Sequence, residues 1–537
     1  MTRGMVCAPQ PEAVEAGVMA LEKGGNAVDA AIACALVQTA VDPQMCGIAG
    51  FGSMQLYLPE QGEHHFIDFH GCAPAKTRED MWENIVISET EDGFGFILEG
   101  GVNDLGYQSI TTPGTLKAFS EAIERYGNLK FPELLEEAIH YCEKGFAVRT
   151  HVASYWNLVE SAGRIAHIER IRAMPATAKI YTKDDGSIYQ AGEILRNPDM
   201  ANTYRRIAQA GVEDFYQGEL ATAIDADMRE NGGLLSKDDL QDFQTQQTEP
   251  VRGNFHGYEI ATNPLPGGGS MVIEMLNILS NFDLESMGHN SHQYIATVAE
   301  AMKIATVDKD LHMGDPRYVD VPLDMLLGTD HAKNMAARIK AGEKTLVPRL
   351  NRGANNKDTT HVCAVDKMGN CVSMTHSLGN PSGVVTEGLG FMYNGCMNVF
   401  DPRPGHSNSL APGKSRFTAM SPTIVFKNKN PFLVIGAPGG TYITMGVLQG
   451  ILNCLVFGMN AQEAVSAPRF CVTSDVIDVT NRIPRFTQNA LEDLGYEVRR
   501  SHQSFGFAGV HAIRITESGW DGGADPGRDG MSLESAR

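Results

Sequence analysis

The chain has 537 residues, with 44 Lys and Arg against 65 Asp and Glu and a net charge of −21. So acidic a protein is a poor partner for nucleic acid or an anionic membrane surface. The composition, 42% hydrophobic and 20% charged, is globular and allows two or more ordinary domains or one large α/β body.

The first residues, Met1-Thr2-Arg3-Gly4, carry no charged stretch followed by an apolar one, and no run of about 18 apolar residues follows anywhere. The expectation is a cytoplasmic protein without a membrane anchor. Residues 10–40 show helical spacing, broken at Gly24-Gly25-Asn26; Asp29 then falls in the first turn of the next helix, where negative charge is favourable. Residues 47–69 read as strands punctuated by glycine, and 115–235 as mostly helical. At 264–283 a Pro-Leu-Pro-Gly-Gly-Gly-Ser loop feeds a buried helix. Residues 340–358 are polar, rich in Gly and Asn, and without apolar periodicity, so they read as a surface loop where a backbone cut would be tolerated. Residues 361–365 and 371–375 then form two strands around a turn at Lys367 to Asn370, and 423–426 and 432–435 are two more.

Several motifs fail. Gly413-Lys414-Ser415 lacks the first glycine of a phosphate loop, since position 408 is Asn408. Gly47, Gly50 and Gly52 have the wrong spacing for a dinucleotide fingerprint, and His64-His65 has no carboxylate at metalloprotease spacing. The ten cysteines include no Cys-x-x-Cys pair; Cys34 and Cys454 sit in apolar runs and read as buried thiols. No metal ligand cluster and no organic cofactor are implied.

The stretch that carries chemistry is Asp358-Thr359-Thr360-His361. A threonine hydroxyl in mid-chain is a weak nucleophile without a base. At a chain start its own α-amine, with an ordinary pKa of about 7.7–8, can take the hydroxyl proton. A cut between Asp358 and Thr359 would make Thr359 such a residue.

The rest of the chain supplies a context. Leu21 to Cys34 (LEKGGNAVDAAIAC), Val41 to Gly52 (VDPQMCGIAGFG), Ala73 to Lys76, Thr112 to Thr115, Phe215 to Glu219 and Asn231 to Leu240 resemble signatures of the γ-glutamyltranspeptidase family. So do Glu300 to Lys303, Gly314 to Pro316, Met420 to Thr423, Ala437 to Gly440 and Ala467 to Phe470, in the family's order. The resemblance implies an α+β, four-layer αββα sandwich of the N-terminal nucleophile hydrolase type. It also implies a precursor that cleaves itself into a large subunit, 1–358, and a small catalytic subunit, 359–537, which stay associated in one body; a homodimer of such units is a further expectation. Thr359 is then the nucleophile. Ser377, where the family usually has threonine, supports it, and the backbone N–H groups of Gly439 and Gly440 hold the oxyanion.

The departures bear on the substrate. γ-Glutamyl enzymes bind a free amino-acid head group through an arginine, an Asp-Asp-Phe element and a Ser-Ser pair. The matching positions here are His70, Val399 and Thr418-Ala419, and Cys396 replaces a glutamine. Valine cannot accept a hydrogen bond from an ammonium group, although Asp401 is near enough in sequence to restore an acid if the loop shifts. Arg416 stands where the family usually has proline and could clamp a small carboxylate with both arms. Asn380, Thr418 and His70 complete the substrate-binding candidates. The expectation is an amidohydrolase for a small carboxylate-bearing amide such as oxamate. The alternatives are a γ-glutamyl hydrolase or transferase, an acylase for bulkier amides, and a scaffold that never matures.

Overall fold

A computed structural model describes residues 2–90, 93–158, 163–348 and 359–536. The expected hairpin is present as strands Thr360–Asp366 and Cys371–Ser377, paired antiparallel. It lies in the middle of a seven-stranded sheet. In spatial order the strands are Met531–Glu534, Gly4–Ala8, Thr360–Asp366, Cys371–Ser377, Phe51–Leu58, Glu63–Phe69 and Gln246–Thr248. Strands from before and after position 359 are therefore interleaved, and one hydrogen-bonded ladder runs through both parts of the chain.

A six-stranded sheet packs on it, in the order Gly519–Ala524, His511–Thr516, Asn430–Gly436, Thr423–Lys427, Tyr258–Thr262 and Val251–Phe255. The period of two along each strand sorts the side chains. In the first sheet Met5, Cys7, Cys363, Val365 and Cys371 point at Ile424, Val434 and Ile513 of the second, forming the layer between the sheets. Val6, Ala8, Val362, Ala364, Val372 and Met374 point the other way, into a core shared with the helices.

Helices close both outer faces. Ala27–Val41 packs on the Thr360–Ser377 hairpin and is buried along its whole length, which suits a helix apolar on all sides. The Gly24-Gly25-Asn26 break is a helix stop and a helix start. Asn26 caps the new helix by accepting from Val28 and Asp29, and the Asp29 carboxylate accepts from the Asn26 amide in return. On the second sheet sit Gly269–Leu279 and Ile443–Leu455, and His292–His312 packs on Gly269–Leu279. This is the expected αββα order. The ten cysteines are free thiols, and all but Cys72 are buried. Of the expected surface loop, residues 349–358 lie outside the described residues, and Asp358 with them. No helix among the described residues is long and apolar enough to cross a membrane.

Candidate active site

Register places Thr359. Thr360 lies opposite His376, so one step further Thr359 stands beside Ser377; Ser377 in turn lies opposite Phe51 on the next strand. The Thr359 hydroxyl donates to the Ser377 Oγ at 3.3 Å, and that oxygen also accepts from the Gly379 N–H at 2.8 Å. Both hydroxyls are buried. Ser377 thus holds the Thr359 hydroxyl at the end of two central strands, where the ladder leaves it little freedom.

The two histidines of the hairpin beside Thr359 are core rather than chemistry. His361 Nδ1 lies 2.8 Å from the Thr375 hydroxyl and Nε2 lies 3.2 Å from Cys363 Sγ. His376 Nε2 lies 2.9 Å from Gln38 Oε1. Burial draws both imidazoles down to a pKa of about 3, so both are neutral near pH 7.

Opposite Thr359, strand Asn430–Gly436 leads through Pro438 and Gly439 into the turn Gly440–Tyr442 and the helix Ile443–Leu455. Gly440 and Ile443 line the same pocket as Thr359. The start of a helix offers unpaired N–H groups and the positive end of the backbone dipole, the electrostatics an oxyanion needs. Gly440 takes φ 56°, and Gly439 takes φ 143°, where a Cβ would meet the Ala508 Cα at 2.6 Å. Backbone shape favours glycine at both, and close approach to Ala508 requires it at Gly439. Gly440 borders the pocket; Gly439 is packed behind it.

The pocket holds Asn380, Val399, Arg416 and Thr418 together with Thr359, Ser377 and Gly440. Its volume is small, about 30 Å³. Arg416 is 4% exposed and lies between two rings, Phe51 at 4.8 Å and Phe94 at 5.6 Å from its guanidinium carbon. Its Nη1 donates to the Phe417 carbonyl at 2.8 Å, its Nη2 meets Cys396 Sγ at 3.7 Å, and its Nε is buried with no acceptor. No carboxylate pairs with it among the described residues. Gly379, at φ 68°, keeps this space open: a Cβ there would come within 2.9 Å of Cys396 Sγ and 3.7 Å of Arg416 Nη2.

Two expected residues stand apart. His70 does not line this pocket. Its Nδ1 is held by Asp68 at 2.5 Å, and its ring lies 5.7 Å from Phe51, whose ring also carries Arg416. Asp401 is not a substitute acid beside Val399, because it grips Arg403 through both carboxylate oxygens at 2.9 and 2.7 Å. It borders a separate chamber of about 380 Å³ that shares Phe94 and Val399 with the pocket. Thr418 anchors its own loop, its N–H donating to the Pro266 carbonyl and its hydroxyl accepting from Met420. The sequence reading missed Phe51 and Phe94. The signal was the glycine on each side of both, Gly50 and Gly52, Gly93 and Gly95, which lets a large ring stand among close backbones.

The family model described as Gamma-glutamyltranspeptidase matches residues 13–535. The chain is 35% identical over 96% of its length to the acylase ACY 1 proenzyme of Pseudomonas sp. (strain V22), covering 91% of that protein. It is 32% identical to the glutathione hydrolase proenzyme of Escherichia coli (strain K12), over 87% of this chain and 80% of that one. Among solved structures, cephalosporin acylase from Bacillus halodurans superposes with a TM-score of 0.87 at 29% identity, over 99% of this chain and 96% of the other.

Proposed function

This chain belongs to the γ-glutamyltranspeptidase family of N-terminal nucleophile hydrolases, and we propose that it is a self-processed threonine amidohydrolase selective for acyl groups ending in a carboxylate. The carrying observation is Arg416, a buried guanidinium facing the Thr359 pocket with no carboxylate paired to it among the described residues. An unpaired buried charge is costly unless something arrives to pair with it. A substrate carboxylate does so, held by charge-assisted hydrogen bonds worth about 1.5–3 kcal/mol each. Val399 offers an ammonium group nothing, and Asp401 is committed to Arg403. The acyl group that fits is therefore a dicarboxylic acid monoamide without an α-amine. Oxamate is its shortest member, and the small inner volume favours the short end.

The steps we propose are those the family resemblance implies for these residues. Thr359 Oγ attacks the Asp358 carbonyl, an ester forms as the peptide N–C bond breaks, and water releases residues 1–358. The freed α-amine of Thr359 then takes the hydroxyl proton as Oγ attacks the substrate amide. The Gly439 and Gly440 N–H groups hold the oxyanion, the amine leaves with the proton, and water hydrolyses the acyl-enzyme. Thr418 and Asn380 border the acyl group, and His70 braces Phe51 against Arg416. The proenzyme names of the relatives support such a precursor.

One observation favours a second feature. The chamber of about 380 Å³ beyond Phe94 and Val399 has room for a leaving amine far larger than ammonia, in keeping with relatives named acylases. The test is amine release from a series running from oxamate through succinamate to glutaramate, from N-substituted versions, and from a γ-glutamyl anilide. Turnover of the carboxylate-bearing amides that collapses in Arg416→Ala supports the proposal. Equal turnover in both proteins, or activity confined to the γ-glutamyl compound, overturns it.

A further inference from the structure

Away from the active site, helices Gly269–Leu279, His292–His312 and Thr329–Lys340 meet on the outer side of the second sheet. Each contributes one side chain to a common point: Glu274, Asp308 and His331. One donor atom from each lies within 4.8 Å of the others. We propose that these three residues bind a divalent transition-metal cation of the zinc or manganese class, which fastens the three helices together.

The first argument is an unmet acceptor. Glu274 is fully buried in mid-helix. Its Oε1 lies 3.2 Å from His331 Nε2, and Asp308 Oδ2 lies 3.2 Å from the same nitrogen. The imidazole can give that nitrogen's single proton to one of them. The other Glu274 oxygen, Oε2, has no hydrogen-bond donor among the described residues and has the Asp308 carboxylate as its neighbour. Two acceptors facing each other in a buried site need a cation or a shared proton between them.

The second argument is the donor set. Two carboxylates carry a charge of −2, which a divalent ion cancels while the imidazole stays neutral and binds through nitrogen. Mixed nitrogen and oxygen ligands suit zinc, manganese or ferrous iron. Calcium wants six to eight oxygens and is poorly served. The third argument is access. The His331 and Asp308 side chains are 12% and 17% exposed, while that of Glu274 is 0%. An ion can enter from the solvent side and keep water there as its remaining ligand. His312 lies one helical turn beyond Asp308 on the same face, close enough to act on its carboxylate.

The place gives the site its consequence. Lys309, next to Asp308, lines the outer chamber, and Met271, about one turn before Glu274, lines a smaller cavity that shares Phe94 and Phe417 with it. The ion would set the spacing of the helices behind that chamber and would take no part in amide cleavage.

The test uses the full-length, self-processed enzyme without a histidine tag. Metal content is measured by mass spectrometry after desalting. Zn2+ and Mn2+ are then titrated calorimetrically into protein stripped with EDTA, beside Glu274→Gln and His331→Phe. The expected result is about one ion per chain in wild type, affinity lower by about 100-fold or more in both variants, and a melting temperature raised by the ion in wild type alone. Should either variant fail to fold, Co2+ added to stripped wild type provides a second reading, since an imidazole and two carboxylates give visible ligand-field bands. Wild type that takes up none of these ions, or that binds them no better than the variants, overturns the proposal.

Discussion

Arg170 and Arg416 are both buried arginines, and the difference between them separates scaffold from site. Arg170 is bonded through every nitrogen. It ion-pairs with Asp104 at 2.5 Å and donates to the carbonyls of Ile165, Asp104 and Pro381. All three of its nitrogens donate, so it fastens the segment around Asp104 and Ile165 to the strand starting at Asn380. Arg416 makes one carbonyl bond and a weak thiol contact, and spends its flat faces on Phe51 and Phe94. Burial alone does not mark a functional charge; burial with unspent donors facing a cavity does.

The comparison breaks most sharply at the nucleophile. Thr359→Ala is expected to remain one uncut chain by intact mass and to lose all amide turnover, while Thr359→Ser still cuts. Two fragments in the alanine variant would remove Thr359 from the mechanism. Next, Arg170→Ala strands Asp104 in the interior and should lower stability by about 3–5 kcal/mol. Arg416→Ala removes a charge that has no carboxylate partner among the described residues and should leave the denaturation midpoint unchanged or higher, yet lower kcat/KM for dicarboxylic monoamides by about 10²- to 10³-fold, the loss of one or two charge-assisted bonds. If both variants lose stability alike, the distinction between the two arginines fails.

A third variant sharpens the comparison by moving charge. Val399→Asp puts a carboxylate into the pocket that holds Arg416. Turnover of γ-glutamyl anilide should rise and that of glutaramate should fall, the ratio shifting by about 10-fold or more; a ratio that does not move places the acyl end elsewhere. Ser377→Ala, which loses one hydrogen bond to Thr359, should slow turnover by about 10-fold with little change in KM. An unchanged rate would make Ser377 a bystander.

The smallest expected effect concerns pH. An unfolded chain binds protons on His361 and His376 near the ordinary value of about 6.5, whereas the folded protein resists until about 3. Because the folded pKa is the lower one, the stabilisation is complete above pH 6.5 and is lost as pH falls from there toward 3. The slope is up to about 1.4 kcal/mol per pH unit for each histidine. His376→Gln should flatten the change in urea midpoint between pH 7 and 5. A profile as steep as wild type would assign the acid sensitivity to other groups.

Much of this was legible in the chain because it is local. The Lys367 to Asn370 turn fixes the hairpin, the capping box fixes where the helix at Ala27 starts, and alternation along Thr360–Asp366 fixes which residues face the second sheet. The pairing of Thr359 with Ser377 follows from the same hairpin register. The exclusion of an ammonium partner at the Val399 side chain also came from residue type, since no packing gives an isopropyl group an acceptor. What folding alone decided is long-range. Whether Arg416 meets an acid depends on every chain segment that could have brought one. His70 was drawn away to Asp68, Asp401 to Arg403, and Phe51 and Phe94 came from distant segments to hold the guanidinium. Glu274, Asp308 and His331 share no motif and meet because three helices pack together. Sequence determines which groups a residue can bond; the tertiary structure determines which partners arrive first, and so which donors remain for a ligand.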